Sequence, residues 1–322
     1  MRQAVLIGPA RFEMQDRAIP NAGPGEVRVR VAACGTCASE MASWEDGPGE
    51  RGDLLFGHEV SGTVDQVGSG VDTFRPGTPV TGLFHGGFAE YAATEASKVV
   101  ALPEGLGPAD VMGEPISCVV SAVSRLRIEL GDVVAIVGLG YMGLLTLQLA
   151  RLRGPARVIG VDPRPDARGS GLRAGADAVL APEELDSTLL VGMRKGIVPD
   201  TGVDVAVEAT GVQAGLELAG KMVREHGQLA VLGYHNHNRG RRQIDMQLWN
   251  WKALDVLNAH DRRDDYKVEC LRRGVRLLAG GRIDTRWMNT HRFPLEDVGA
   301  AFQAMRDKPN GYVKGVVDLT RT

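Results

Sequence analysis

Long apolar runs are absent from this sequence. No run approaches the roughly 18 residues that a transmembrane helix needs, and the N-terminus reaches Gly8 and Pro9 without the apolar core of a signal peptide. A large excess of one charge is absent too, because the net charge is -3 over 322 residues. We therefore expect a cytoplasmic protein with no membrane or nucleic-acid partner. The chain is long enough for two domains.

Cysteine is also scarce, and the four cysteines are Cys34, Cys37, Cys118 and Cys270. In a reducing compartment such residues are core, metal-binding or catalytic residues rather than disulfide partners. The pair Cys34-x-x-Cys37 has the spacing of a redox pair. It follows a strand and lies in a glycine-containing turn, so it does not match the βαβ context of a thioredoxin-like motif.

The pattern of strands and helices changes along the chain. Up to about residue 100, short apolar or alternating strands are separated by Gly and Pro turns. Residues 109–126 have helical spacing, with Pro115 expected to break the helix. From Val133 onward, apolar strands alternate with helices, which predicts a doubly wound parallel sheet in an α/β protein. After residue 264 we expect a helix, a second helix starting at Phe293 and a closing strand.

A glycine-rich loop, Gly138-x-Gly140-x-x-Gly143, joins an apolar strand to a helix. In this context the spacing predicts dinucleotide binding. The first glycine permits a tight turn, the second lets a pyrophosphate approach the backbone, and the third lets the helix pack on the strand. The helix N-terminus attracts the phosphates. The predicted cofactor-binding residues are Gly138, Gly140, Tyr141, Met142, Gly143, Asp162, Arg164, Thr210 and Gly233.

Asp162 ends the next predicted strand, 24 positions after Gly138. A carboxylate at this point would bind the hydroxyls of the adenosine ribose and would repel a 2′-phosphate. It therefore predicts NAD rather than NADP, although the nearby Arg164 is a cation that would favour NADP. The alternative is a structural glycine turn followed by a solvated aspartate.

Four side chains have the donor types of a zinc site, namely Cys37, His58, Glu59 and Glu114. Glu114 is an acid in an otherwise apolar stretch, where burial is costly unless the carboxylate is paired or bound to metal. A hydrogen-bonded core histidine and a surface acid are the alternatives for His58 and Glu59. Beside a dinucleotide fold, the four residues predict a catalytic metal.

These motifs together resemble the zinc-dependent alcohol and polyol dehydrogenase branch of the medium-chain dehydrogenase/reductase family. The segment Gly57-His58-Glu59-x-x-Gly62-x5-Gly68-x-x-Val71 is similar to the zinc signature of the family. Cys34-Gly35-Thr36-Cys37-Ala38-Ser39-Glu40 resembles its GICGSD segment, and Glu114-Pro115-Ile116 resembles the EPL of the sorbitol-dehydrogenase-like branch. The four-cysteine lobe that holds a structural zinc is absent, so a second zinc is not expected.

The resemblance implies a GroES-like catalytic domain over residues 1–118 and 263–322, and a Rossmann domain over residues 119–262. It implies hydride transfer between NAD(H) and a secondary alcohol or polyol, or the corresponding ketone, with one zinc ion as Lewis acid. The implied catalytic residues are Cys37, Ser39, His58 and Glu59. Ser39 would be the proton-relay hydroxyl, and either Glu59 or Glu114 would bind the metal directly. The relay histidine of many members falls at Ala42, and the family implies a homodimer or homotetramer.

Two other features have open interpretations. The segment from His235 to Arg242 follows a predicted strand and could be a solvated loop, a second metal site, a nucleic-acid patch or a ligand-contacting loop. Trp44 is predicted to line the substrate cleft. The rival functions are a ketone reductase in a biosynthetic pathway, a zinc-independent enone reductase and a non-catalytic NAD(P)H-binding protein. Cys37 and His58 argue against the last two.

Overall fold

The structure is a computed structural model that describes residues 1–49, 54–193 and 201–320. The chain divides into two compact units. The first is Met1–Cys118 with Arg262–Thr322, and the second is Val119–Asp261. Within the described ranges, no helix combines the length and the apolar content needed to span a bilayer.

The elements of the described residues follow the chain in this order. The strands are β1 (Arg2–Gly8), β2 (Arg11–Asp16), β3 (Glu26–Gly35), β4 (Leu54–Leu55), β5 (Glu59–Val67), β6 (Pro79–Gly82), β7 (Tyr91–Glu95), β8 (Val99–Ala101), β9 (Val133–Val137), β10 (Arg157–Val161), β11 (Ala178–Leu180), β12 (Val203–Glu208), β13 (Val223–Val231), β14 (Asp255–Asn258), β15 (His291–Phe293) and β16 (Gly315–Asp318). The helices are α1 (Met41–Asp46), α2 (Gly113–Ser124), α3 (Tyr141–Arg151), α4 (Pro165–Arg173), α5 (Gln213–Met222), α6 (Met246–Trp251), α7 (Asp264–Ala279) and α8 (Val298–Asp307).

The first unit is built on β sheets. One sheet has the strand order β15-β16-β3-β5-β6-β8, with β7 also paired to β3, and a smaller sheet has the order β2-β1-β4. Along β3 the residues Val27, Val29 and Val31 are buried and alternate with more exposed ones. This period-2 pattern is that of a strand with one face in the core, as the sequence predicts.

The second unit contains a parallel sheet with the strand order β11-β10-β9-β12-β13-β14. Val134, Ala135 and Ile136 at the centre of β9 are fully buried, because the middle strands of a parallel sheet are covered on both faces. The strand order reverses direction between β9 and β12. In sheets of this type, ligands bind at the carboxyl ends of the strands beside such a reversal.

Two local predictions are wrong, and a third places the start of a helix too early. Pro115 does not break a helix, since α2 begins at Gly113 and a proline in the first turn removes no intrahelical hydrogen bond. The helix expected from Phe293 exists but begins later, because Phe293 ends β15 and α8 begins at Val298. Trp44 does not line a cleft, because it is 1% exposed and its ring packs against Phe302, with 5.7 Å between the ring centroids.

Candidate metal and cofactor sites

Two strand ends position the sulfur and the imidazole of the predicted metal site. β3 and β5 are antiparallel, with Gly35 opposite Glu59. Cys37 follows β3, and His58 immediately precedes β5. Gly57 has a φ of +91°, and a Cβ there would lie 2.7 Å from a backbone nitrogen of a neighbouring segment, so the turn requires glycine. Strand register therefore brings Cys37 to His58 and Glu59.

One donor atom from each of Cys37, His58 and Glu59 lies within 4.8 Å of the others. Tetrahedral zinc, with bonds of about 2.0–2.3 Å, separates its ligand atoms by about 3.3–3.8 Å. Small side-chain movements would therefore close the three donors on one ion. Sulfur, nitrogen and carboxylate oxygen are also ligand types of zinc sites. The three residues fit zinc, and among the described residues Glu114 is not part of this group.

Glu40 orients the imidazole of His58, a role that the sequence analysis missed. Glu40 Oε1 lies 3.2 Å from His58 Nδ1 and accepts a hydrogen bond of 2.8 Å from Gly57 N. Metal-binding histidines commonly donate their second ring N–H to a carboxylate in this way. Burial lowers the pKa of His58, but Cys37 and Glu40 raise it to about 12. The site therefore favours a positive charge. In the sequence, the spacing Cys37-x-x-Glu40 is the feature that could have predicted the role of Glu40.

Glu59 is buried against Lys314, which the sequence analysis also missed. The Nζ of Lys314 donates to Glu59 Oε1 at 2.7 Å and lies 2.6 Å from Oε2. One ammonium therefore contacts both oxygens of this buried carboxylate. Burial raises the pKa of Glu59, although Lys314 opposes that effect. One oxygen of the Glu59 carboxylate also lies within 4.8 Å of the Cys37 thiol and of a His58 ring nitrogen, as expected of a metal ligand.

Glu114 has a different set of partners. Its Oε1 accepts hydrogen bonds from Lys267 Nζ at 2.8 Å and from the Cys118 thiol at 3.2 Å. Burial raises the pKa of Glu114, but Lys267 and other neighbours outweigh burial, and the pKa is lowered overall. Burial also raises the pKa of Cys118 well above its usual value, consistent with a protonated donor. The acid in the apolar stretch is therefore paired with a lysine.

The other predicted residues of this region lie close to Cys37. Ser39 Oγ donates to Cys37 Sγ at 3.2 Å. Cys34 is buried and not disulfide-bonded. Burial raises the pKa of the Cys34 thiol well above its usual value. Cys37 instead belongs to the donor group with His58 and Glu59, which favours the metal interpretation over a redox pair.

The three glycines of the predicted cofactor loop have different surroundings. Gly138 has a φ of +98°, which favours glycine, and a Cβ at Gly143 would overlap the carbonyl oxygen of Gly138. A Cβ at Gly140 would meet no atom within 4 Å. Tyr141 and Met142 begin α3 directly after this open position. The loop fits a phosphate-bearing cofactor, because space is kept open where the first amides of a helix are available.

Asp162 lies beside this loop at the end of β10 and is 7% exposed. Its Oδ2 accepts a hydrogen bond from Leu139 N, and its Oδ1 accepts one from Arg164 N, both at 2.9 Å. The Nε of Arg164 lies 3.5 Å from Asp162 Oδ1, and its guanidinium lies 3.6 Å from Asp166. Asp162 thus links the glycine-rich loop to the start of α4. It lies there beside Arg164, the other charged residue predicted to bind the cofactor.

Thr210 and Gly233 follow β12 and β13 at the same edge of the sheet. A Cβ at Gly138 would lie 2.6 Å from the methyl group of Thr210, and a Cβ at Gly233 would overlap Gly211 N. The loops after β9, β12 and β13 are therefore packed against each other. All the predicted cofactor-binding residues lie at the carboxyl ends of parallel strands or in the loops and helix starts that follow them.

A cavity of about 800 Å³ lies elsewhere in the first unit. Arg30, Tyr91, Leu295 and Thr320 are among the residues that line it, and none of the predicted metal ligands does. Arg2 in its wall is already paired with carboxylates. The donor chemistry therefore marks the Cys37 region, and not this cavity, as the candidate active site.

The chain matches two known protein-family models. Residues 23–104 match the family model described as the alcohol dehydrogenase GroES-like domain, and residues 142–259 match the one described as zinc-binding dehydrogenase. The chain belongs to the zinc-dependent medium-chain dehydrogenase/reductase family. This membership confirms the predicted combination of a GroES-like and a Rossmann fold. It also gives the class of activity, which is that of an oxidoreductase acting on alcohols or polyols.

Relatives of this dehydrogenase match it over nearly the whole chain. Sorbitol dehydrogenase of Bacillus subtilis is 25% identical over 353 aligned positions, covering 98% of this chain and 97% of that protein. L-threonine 3-dehydrogenase of Pyrococcus abyssi is 29% identical over 336 aligned positions, covering 94% of this chain and 94% of that protein. A solved structure from Sinorhizobium meliloti, described as a zinc-binding dehydrogenase bound to NADP, has a TM-score of 0.83 and 26% identity over 98% of both chains. The named substrates of these relatives differ.

Proposed function

We propose that this dehydrogenase transfers a hydride between a secondary alcohol or polyol and NAD⁺, or reduces the corresponding ketone, with one zinc ion per chain. The observation that carries the proposal is the convergence of Cys37, His58 and Glu59. Catalytic zinc sites have three protein ligands and one open position. Zinc bound there would supply a Lewis acid for the substrate oxygen, and the nicotinamide would accept or donate the hydride.

Glu59 is the third ligand in this proposal, and Glu114 is a neighbouring acid. An oxygen of Glu59 lies within 4.8 Å of the Cys37 and His58 donors, whereas Glu114 is outside that group and its Oε1 is shared by Lys267 and Cys118. Lys314 partly neutralises Glu59 and so competes with a metal for that carboxylate. The Lys314–Glu59 pair would therefore tune metal affinity.

Ser39 is the proposed relay hydroxyl, whose Oγ takes the proton that the substrate hydroxyl loses while it passes its own hydroxyl proton onward. Its Oγ lies beside the ligand group, 3.2 Å from Cys37 Sγ, and a hydroxyl that donates one hydrogen bond retains acceptor lone pairs. Position 42 is alanine and supplies no acid–base group. The proton must therefore leave Ser39 by a route that does not use a side chain at position 42.

Asp162 supports NAD as the cofactor. Its carboxylate lies beside the glycine-rich loop, where a 2′-phosphate would meet a negative charge. The nearby cation Arg164 is flanked by Asp162 and Asp166, so little of its charge remains for a phosphate. NADP, which the Sinorhizobium meliloti protein binds, is the competing cofactor.

Asp162→Asn is expected to raise the ratio of kcat/KM for NADP⁺ to kcat/KM for NAD⁺ by about tenfold. The amide keeps an acceptor for the Leu139 N–H but removes the charge that repels a 2′-phosphate. Arg164→Gln is the matched control and should not raise the ratio. An unchanged ratio in Asp162→Asn would contradict the assignment of this carboxylate to the ribose.

The proposed function is tested by metal analysis of purified protein together with a substrate panel of polyols, cyclitols and secondary alcohols, assayed with NAD⁺ and with NADP⁺. We expect about one zinc per chain and turnover that a chelator removes and added Zn²⁺ restores. Full activity in metal-free protein would refute the role given to Cys37, His58 and Glu59. Turnover with NADP⁺ alone would refute the role given to Asp162.

A further inference from the structure

A buried carboxylate at the end of β12, Glu208, has no part in the reaction proposed above. It is 0% exposed. Its Oε1 accepts hydrogen bonds from Thr210 N at 2.6 Å, from Gly211 N at 2.8 Å and from Thr210 Oγ1. Its Oε2 accepts one from His235 Nε2 at 2.9 Å. Burying a carboxylate is costly unless its oxygens are hydrogen-bonded, and four donors meet that requirement here.

Arg242 extends this arrangement through His235. Arg242 Nε donates to His235 Nδ1 at 2.7 Å. A guanidinium can only donate, so Nδ1 is an acceptor and the imidazole proton lies on Nε2, facing Glu208. The histidine therefore links an anion to a cation. We call Glu208, His235 and Arg242 the Glu208 network. The segment from His235 to Arg242 is accordingly tied to the end of the sheet at both of its ends, while residues 237–241 between them are exposed.

The network holds the backbone of Gly211 on both sides. Its N–H donates to Glu208, and its carbonyl oxygen accepts a hydrogen bond of 3.0 Å from Arg242. Gly211 has a φ of +72° and packs against Gly233 after β13, while the adjoining Thr210 packs against Gly138 after β9. The network thus fixes the wall of the crevice that faces the glycine-rich loop.

The position of this wall in the sheet indicates which part of a dinucleotide it meets. A dinucleotide lies across the point where the strand order reverses, between β9 and β12, with its pyrophosphate at the first glycine-rich turn. Asp162 marks the adenosine ribose on the β10 side, so the β12–β13 side receives the other half. We propose that Glu208, His235 and Arg242 are positioning residues for the nicotinamide half of the cofactor, an inference that rests on the proposed use of a pyridine dinucleotide.

The test compares ligands that reach one or both halves of the crevice. His235→Leu removes the donor to Glu208 and the acceptor for Arg242, and the Kd for NADH is expected to rise about tenfold, whereas the Kd for AMP stays unchanged. His235→Gln offers a donor and an acceptor in one side chain and should restore most of the NADH affinity. His237→Ala, at an exposed position of the same segment, is the control and should bind NADH like the unmodified protein.

Two results would overturn the role of the network. One is unchanged NADH affinity in His235→Leu, and the other is an equal loss of AMP and NADH affinity, which would indicate general disruption of the unit. If His235→Leu folds poorly, Arg242→Gln at a partly exposed position should give the same difference between the two ligands. Absence of NADH binding by the unmodified protein would instead refute the proposed cofactor, and this inference with it.

Discussion

Replacing Cys37 with alanine is expected to remove the zinc and to lower alcohol oxidation by roughly a thousandfold, while NADH still binds. The substitution deletes one of three converging donors and a negative charge, and the two remaining ligands bind zinc far more weakly. The glycine-rich loop belongs to the other compact unit, so NADH affinity should not change. Elemental analysis, turnover at saturating NAD⁺ and NADH fluorescence titration measure the three quantities.

Two further variants serve as comparisons for the zinc content of Cys37→Ala. Glu40→Gln keeps all three converging donors but weakens the hydrogen bond that orients His58, so zinc affinity should fall by about 10–100-fold rather than vanish. Cys34→Ala removes the other cysteine of the pair, which does not belong to the donor group, and should retain zinc. A Cys37→Ala protein that keeps a full complement of zinc would show that the ligand group is elsewhere.

Gly140→Ala is expected to weaken NADH binding by about a hundredfold with little change in Tm. Gly140 has φ -77° and ψ -172°, an extended conformation that any residue adopts, and a Cβ there would meet no atom within 4 Å. The folded chain therefore does not itself need glycine at this position. Close approach of a pyrophosphate does need it, because the added methyl group would occupy the space of the ligand.

Gly143→Ala is the matched contrast to that variant. A Cβ at Gly143 would overlap the carbonyl oxygen of Gly138, so the helix could not pack on its strand without a backbone shift. We expect a loss of about 2 kcal/mol or more in the free energy of unfolding, visible as a lower Tm without ligand. Unchanged NADH affinity in Gly140→Ala, measured by fluorescence titration, would contradict the assignment of the loop to the cofactor.

Much of the fold could be predicted because the relevant signals are local. The alternation along β3 and the apolar run of β9 each reflect which faces of one strand are covered, and adjacent residues carry that information. Local signals failed where the outcome depends on neighbours in space. Trp44 lies near Cys37 in the sequence, yet its ring packs against Phe302, some 258 positions later. The prediction that Pro115 breaks a helix was wrong because a proline disrupts a helix only beyond the first turn of that helix.

The chemical types of the side chains at both sites can be read directly from the amino-acid sequence. The order of residues gave the thiol, imidazole and carboxylate of Cys37, His58 and Glu59, and it gave a glycine-rich loop between a strand and a helix. Residue identities and short-range spacings are properties of the sequence alone, so they can be recognised without knowledge of the fold.

The partners of the two carboxylates, in contrast, depend on the folded structure. It paired Glu59 with Lys314 and Glu114 with Lys267, across 255 and 153 residues of sequence. It also placed an oxygen of Glu59 within 4.8 Å of the thiol and the imidazole. The charge state and orientation of a buried acid depend on the cation that folding brings to it. Sequence spacing carries no record of that partner.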